Sequence, residues 1–225
     1  MEVIVHDTPA DVAEATSRRV TGLITGSNHR FSLGLAGGST PEATYKELRG
    51  RGTDWDRVDA WLSDERWVPP DHERSNGRMA AAALLDHVDA VFHRPRWSDQ
   101  LEASDSAAYY EATLRSIHGV DPPDVVMLGV GEDGHTASLF PGTEALNETS
   151  RWFVANHVPS LDEDRLTATY HLLWQARVLM VLAVGQSKAA AVKASLDGTT
   201  PAGRLGEGKG EVEWHLDRDA AALLV

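Results

Sequence analysis

Residues 123–143 read PDVVMLGVGEDGHTASLFPGT. Val125-Val126-Met127-Leu128 is short and wholly apolar, the pattern of a strand covered on both faces. A loop with three glycines follows, Gly129-Val130-Gly131-Glu132-Asp133-Gly134, and then His135. A short helical run after it is expected to stop at Pro141-Gly142. In α/β proteins ligands sit beyond the carboxyl ends of the strands, so the Asp133/His135 pair is the first candidate for chemistry. Gly129, Gly131 and Gly134 also fit the dinucleotide pattern G-x-G-x-x-G, but a lone match is weak. Glu132 and Asp133 would meet a pyrophosphate with like charge, and a helix cut short at Pro141 offers little dipole. No nicotinamide cofactor is expected.

Working outward, strands are expected at Glu2–His6, Phe31–Ala36, Val58–Leu62, Val88–Phe92, Arg165–Tyr170, Val178–Val184 and Val212–Leu216. Helices are expected from Thr8 or Asp11 to Ile24, and over Pro41–Leu48, Ser75–Asp86, Glu102–Ile117, His171–Ala176, Lys188–Leu196 and Arg218–Leu223. Tyr109, Leu114 and Ile117 are placed on the inner side of theirs. Glu148–Asp164 reads as irregular, and Gly198–Gly210 as a loose, mobile loop. Strands alternating with helices predict an α/β fold: a doubly wound, mostly parallel sheet with helices on both faces, in a single domain over 1–225.

Three further strand ends carry polar groups. Gly37-Gly38-Ser39-Thr40-Pro41 joins a strand to a helix: the glycines leave the backbone bare, Ser39 or Thr40 can cap, and Pro41 suits a first turn. This is either an anion site on a helix N-terminus or an ordinary tight turn. Ser63-Asp64-Glu65-Arg66 leaves the Val58–Leu62 strand, stiffened by Pro69-Pro70, and an Arg held there can fork onto a carboxylate or phosphate. Gly185-Gln186-Ser187-Lys188 puts a cation at a helix start, where only a nearby anion makes it favourable.

Composition narrows the function. The 225 residues contain 21 basic and 34 acidic side chains, a net charge of −13. Such a chain is not expected to bind nucleic acid, which wants a basic face. If the substrate is an anion, a local cluster must overcome the long-range field. Arg66, Arg165, Lys188 and the N–H groups of Gly38–Thr40 supply one if the strand ends share an edge. There are no cysteines, hence no thiolate chemistry or disulfides. The start, MEVIVHDTPA, has no leader-like pattern, and no apolar run approaches the ~20 residues that span a bilayer. A soluble, cytoplasmic protein without membrane partners is expected, a monomer or small homo-oligomer. No nucleophile elbow and no histidine pair at ligand spacing is found. Metal-free hydrolysis or proton transfer on a small anion is the natural reading.

Five segments carry a resemblance: LAGGSTPEATYKEL (Leu35–Leu48), SDERWVPPDHERSNGRMA (Ser63–Ala80), DVVMLGVGEDGHTASLFPGT (Asp124–Thr143), RLTATYHLLWQAR (Arg165–Arg177) and GQSKAAAV (Gly185–Val192). In this order they resemble the glucosamine-6-phosphate isomerase/6-phosphogluconolactonase family. His135-Thr136-Ala137-Ser138-Leu139-Phe140-Pro141 is similar to its lactonase branch. The deaminase branch tends to follow this His with an Ile-Ala-Phe-Asn-Glu-Pro-like run, and its acidic residue is missing here.

The resemblance implies a modified Rossmann-like fold and hydrolysis of 6-phospho-D-glucono-1,5-lactone, the second step of the pentose phosphate pathway, with no metal or organic cofactor. His135 would take a proton from the attacking water. Asp133 would orient the imidazole or stabilise its cation. Arg66, or N–H groups near Gly131–Gly134, would stabilise the oxyanion. Gly37, Gly38, Ser39, Thr40, Asp64, Arg165 and Lys188 would hold the phosphorylated substrate. Two other readings stand beside it: a glucosamine-6-phosphate deaminase, and a non-enzymatic sugar-phosphate sensor, which would want a DNA-binding segment.

Overall fold

Val125–Gly129 is the middle strand of a seven-stranded sheet. The computed structural model describes residues 1–224. In chain order its strands are β1 (Glu2–His6), β2 (Phe31–Leu35), β3 (Val58–Leu62), β4 (Asp64–Arg66), β5 (Val91–His93), β6 (Val125–Gly129), β7 (Phe153–Val158), β8 (Glu163–Ala168), β9 (Val178–Ala183) and β10 (Glu211–Asp217). Its α-helices are α1 (Pro9–Gly26), α2 (Ser39–Leu48), α3 (Asn76–Ala83), α4 (Ala103–His118), α5 (Tyr170–Leu173) and α6 (Ala189–Leu196). The large sheet has the order β1-β10-β9-β6-β2-β3-β5, and every pairing in it is parallel. This is the expected doubly wound α/β architecture.

Alternation along β6 explains its unbroken apolar sequence. Val125 and Met127 pack with Val20 and Ile24 of α1, Tyr45 and Leu48 of α2, and Ala80 of α3. Val126 and Leu128 pack on the opposite face with Tyr110 and Leu114 of α4, Leu172 of α5 and Val192 of α6. A strand buried on both faces needs no polar positions.

A smaller antiparallel sheet, β4-β8-β7, stands beside the large one. It corrects the expectation that Glu148–Asp164 is irregular. Phe153, Val154 and Val158 are buried there, so β7 is held by its partner strand and by α4 more than by any clean alternation of its own. In α4 the inner tyrosine is Tyr110, 2% exposed, whereas Tyr109 is 54% exposed. Ala107, Tyr110 and Leu114 repeat at helical spacing on one side, and Tyr109 falls outside that stripe.

Several ends also shift. Thr8 caps α1 by accepting the Asp11 N–H at 3.2 Å, and Ser75 caps α3 by accepting the Arg78 N–H at 3.1 Å. Helix α3 stops at Ala83 and passes into a 3₁₀ turn at Leu85–His87, and the following strand moves to Val91–His93. Arg218–Leu223 forms turns instead of a helix, although the Asp217 carboxylate takes the Ala220 N–H at 2.8 Å in the manner of an N-cap. The Gly198–Gly210 stretch is packed, with a 3₁₀ helix at Ala202–Glu207 and both Ala202 and Leu205 fully buried. No described helix is long and apolar enough to cross a membrane.

Candidate active site

Strands β2 and β6 are neighbours, yet the chain leaves them in opposite directions: β2 to β3 and β5, β6 to β9 and β10. At such a reversal the loops after the two strands diverge and open a crevice. A cleft of about 240 Å³ lies there, walled by Gly37 and Gly38 after β2 and by Gly129 and Gly131 at the end of β6. Asp64, Arg66, His135, Arg165 and Lys188 also line it. Seven of the ten residues expected at the site therefore share one cavity.

The other three stand just behind its wall. Asp133 backs His135, and Ser39 and Thr40 open α2. Neither Ser39 nor Thr40 caps this helix by its side chain: the N-cap is Gly38, at φ +108°. Glycine adopts that conformation without a steric penalty. The helix begins at Ser39, two residues before the expected start, so Pro41 sits within its first turn. The first N–H groups of α2 have no intrahelical acceptors and open beside the Gly37-Gly38 wall.

The loop after β6 is built around His135. Asp133 Oδ1 lies 2.6 Å from His135 Nδ1 and also accepts the His135 backbone N–H at 3.1 Å. A carboxylate only accepts hydrogen bonds, so Nδ1 donates, and in the neutral ring Nε2 carries the lone pair. The Phe140 ring stacks on the imidazole, centroids 3.9 Å apart. The expected helix after His135 is absent. Thr136 and Leu139 bridge across a tight turn with Ala137 at φ +48°, and this turn sends Ser138 inward. Ser138 Oγ donates to Asp64 Oδ2 at 2.8 Å, and its backbone is held by Thr167 Oγ1 and the Asn156 amide. The packed 198–210 segment supports the same loop, since the Ala202 N–H donates to the Gly134 carbonyl at 3.0 Å.

The opposite wall is the β4–α3 junction. Glu65 is 8% exposed, and its carboxylate accepts from Arg66 N, Asn76 N, Gly77 N and Ser75 Oγ at 2.7–2.8 Å. Burial pushes this carboxyl above its usual range, against the downward pull of the four donors. Arg66 hydrogen-bonds Asn76 Oδ1 and the Arg74 carbonyl. Arg165 is 7% exposed and pairs with Glu163 at 2.9 Å. Burial, then the adjacent Arg66, lowers its pKa from the usual guanidinium value. Among the described residues no group of three or more His, Cys, Asp or Glu side chains is placed to hold a metal ion.

Four contributors escaped the sequence reading: Glu65, Asn76, Ser138 and Phe140. Asn76 lay inside the Ser63–Ala80 segment without a site role of its own. Ser138 and Phe140 lay inside the motif, but their directions depend on the turn at Ala137.

The family model described as glucosamine-6-phosphate isomerases/6-phosphogluconolactonase matches residues 7–214. The chain belongs to this family. It is 35% identical over 206 residues to a 6-phosphogluconolactonase of Nostoc sp., covering 87% of this chain and 85% of the relative. It is 34% identical over 216 residues to one of Mycobacterium leprae, covering 88% and 87%. The solved 6-phosphogluconolactonase of Trypanosoma brucei superposes with a TM-score of 0.87 at 29% identity, over 100% of this chain and 98% of that one. A monomeric glucosamine-6-phosphate deaminase superposes with a TM-score of 0.84 at 26% identity, over 99% and 100%. Both branches thus share this fold, and the curated relatives just described are lactonases.

Proposed function

We infer that this protein hydrolyses 6-phospho-D-glucono-1,5-lactone to 6-phosphogluconate, the lactone-opening step of the pentose phosphate pathway. The observation that carries the reading is the His135 imidazole. Its Nδ1 is tied to Asp133 at 2.6 Å, and it lines a cleft that also presents Arg66, Arg165 and Lys188. A base on one wall facing cations on the other suits an ester carbonyl that carries a phosphate.

In the proposed reaction His135 Nε2 takes a proton from water as the water oxygen bonds to C1 of the lactone. Asp133 orients the ring and stabilises the imidazolium. Negative charge develops on the carbonyl oxygen, where Arg66 or the N–H groups of the Gly131–Gly134 loop stabilise it. The bond from C1 to the ring oxygen then breaks, and the imidazolium returns its proton to that oxygen. The phosphate rests on the α2 N-terminus with Arg165 and Lys188. Asp64 faces the sugar hydroxyls. The cations around the cleft supply locally what the net charge of −13 opposes at long range. We place the reaction in one domain, acting as a monomer or small homo-oligomer in the cytoplasm.

Loss of freshly generated lactone, followed by NMR with the spontaneous opening subtracted, tests the reading. Acceleration by wild type and its collapse in His135→Ala are expected. No acceleration, with ammonia released from glucosamine 6-phosphate instead, would reassign the chain to the deaminase reaction.

A further inference from the structure

We propose that Asn76 is a positioning residue for the cleft, and that Gly37 is a glycine to make room for it. The proposal rests on the reading of Arg66 as a group that acts on the substrate. Asn76 is fully buried at the start of α3. Its Oδ1 accepts from Arg66 Nη1. Its Nδ2 donates to the Asp64 carbonyl at 2.9 Å and to Asp64 Oδ1 at 3.2 Å. One carboxamide thereby fixes a cation and a carboxylate of the same wall, each through the atom type it needs. An aspartate would lose the donor facing Asp64, and a leucine would lose both contacts.

The third contact sets the sequence of the opposite loop. A Cβ at position 37 would lie 1.8 Å from Asn76 Oδ1 and 2.4 Å from its Cγ, well inside van der Waals contact. Gly37 does not adopt a left-handed conformation, so its backbone alone does not call for glycine. Gly38 differs: its φ of +108° demands glycine while its Cβ space is nearly open. The two adjacent glycines therefore have different causes. Gly38 turns the chain into α2, and Gly37 admits the Asn76 carboxamide. Glu65 completes the device by taking the Asn76 and Gly77 N–H groups at 2.7 and 2.8 Å, which locks α3 to β4.

This arrangement predicts a specific non-additivity, because contacts that share a partner do not add. Asn76→Ala releases the Arg66 guanidinium and lowers kcat on the lactone about 10–100-fold, the effect of a small misplacement of a reacting group. KM changes less than about threefold, since the phosphate contacts stay. Gly37→Ala alone gives a similar loss of kcat by pushing Asn76 away. The Gly37→Ala/Asn76→Ala double variant is no slower than Asn76→Ala. Added to Arg66→Ala, Asn76→Ala costs less than about twofold more.

The experiment is steady-state kinetics of these six proteins with thermal melting of each. Additive losses in the 37/76 pair, or wild-type kcat in Asn76→Ala, would overturn the proposal. A multiplicative loss with Arg66→Ala would show that Asn76 acts through general stability instead. If wild type does not open the lactone, the functional reading fails on its own, and if Arg66→Ala keeps full activity, the role given to Arg66 fails on its own. The melting cycle then still decides the Gly37–Asn76 contact: Gly37→Ala lowers Tm with Asn76 present and leaves it unchanged with Ala at 76.

Discussion

Arg66 and Arg165 are cross-strand partners in the register of β4 and β8, so two guanidinium groups share one wall of the cleft. Like charges directly opposed on a sheet are destabilising. The Nε of each is buried without an acceptor among the described residues, and burial and Arg66 together act against the charge on Arg165. Glu163, 2.9 Å from Arg165, offsets part of this repulsion, and a ligand bearing concentrated negative charge would offset more of it.

Arg165→Met is therefore expected to separate binding from stability. Loss of one charge-assisted hydrogen bond of about 1.5–3 kcal/mol raises KM roughly 10–100-fold. Glu163 is partly exposed and keeps Arg74 at 2.5 Å, so removing a buried like-charge neighbour leaves Tm unchanged or higher. Inorganic phosphate should raise the Tm of wild type and not of the variant. Differential scanning fluorimetry with and without phosphate checks both halves. A variant that melts lower and keeps its KM would remove Arg165 from the anion site.

The two ends of the proposed substrate are expected to give opposite kinetic signatures. His135→Ala lowers kcat roughly 10²–10⁴-fold, the range for a lost acid–base group, with KM nearly kept. Asp133→Asn is expected to cost up to about 10⁴-fold in kcat, because its amide can donate to Nδ1 and leave the proton on Nε2. Lys188→Ala acts mainly on KM. Equal handling of a dephosphorylated lactone by wild type would exclude the phosphate site altogether. Initial-rate kinetics of the three variants on both lactones supplies the comparison.

The architecture was legible in the sequence because apolar runs such as Val125–Leu128 and Val178–Val184 admit few alternatives once glycine loops bound them. Arg66, His135, Arg165 and Lys188 were legible as polar residues just beyond such runs, or within matched motifs. What stayed hidden was set by neighbours distant in sequence. β7 exists because β8 pairs with it, and Asn76 matters through contacts with residues 37, 64 and 66. The 198–210 segment read as loose because it is glycine-rich, but its glycines other than Gly198 mark close packing. A Cβ at Gly203 would lie 2.4 Å from the Ser195 carbonyl, and one at Gly210 1.9 Å from that of Ala176. Composition does not distinguish a glycine that frees the chain from one that lets two segments touch.

That packing makes Gly134 a sensitive point of the loop that carries His135. It lies at φ +79°, and a Cβ there would meet Thr200 Cβ and Cγ2 at 2.5 Å. Gly134→Ala is expected to cost stability by about 1–3 kcal/mol from backbone strain alone and to lower kcat by displacing His135. Thr200→Gly in the same chain relieves the collision and not the strain, so it should restore part of the loss. Chemical denaturation and kcat, measured on the single and double variants, separate the two contributions.

Acid stability is expected to depend on a residue remote from the cleft. His118, 5% exposed at the end of α4, packs edge-on against Trp61 and Trp152, and its Nε2 has no partner among the described residues. Burial is the largest cause that pulls its pKa down to about 4, with Asp124 and Asp59 opposing. The unfolded chain takes up this proton near pH 6.5, the ordinary histidine value, whereas the folded protein refuses it until about pH 4. The unfolded state therefore binds more protons between those values, and stability falls as pH drops through that window, levelling off below it. Across the whole window the loss is about 3 kcal/mol, since each tenfold difference in proton affinity is worth about 1.36 kcal/mol. His118→Phe keeps an aromatic ring between the two tryptophans and removes the proton site. Denaturant unfolding at pH 7 and pH 4.5 should show a smaller drop in the variant than in wild type, while kcat at pH 7 stays within about twofold. An equal drop in both proteins would place the acid sensitivity elsewhere.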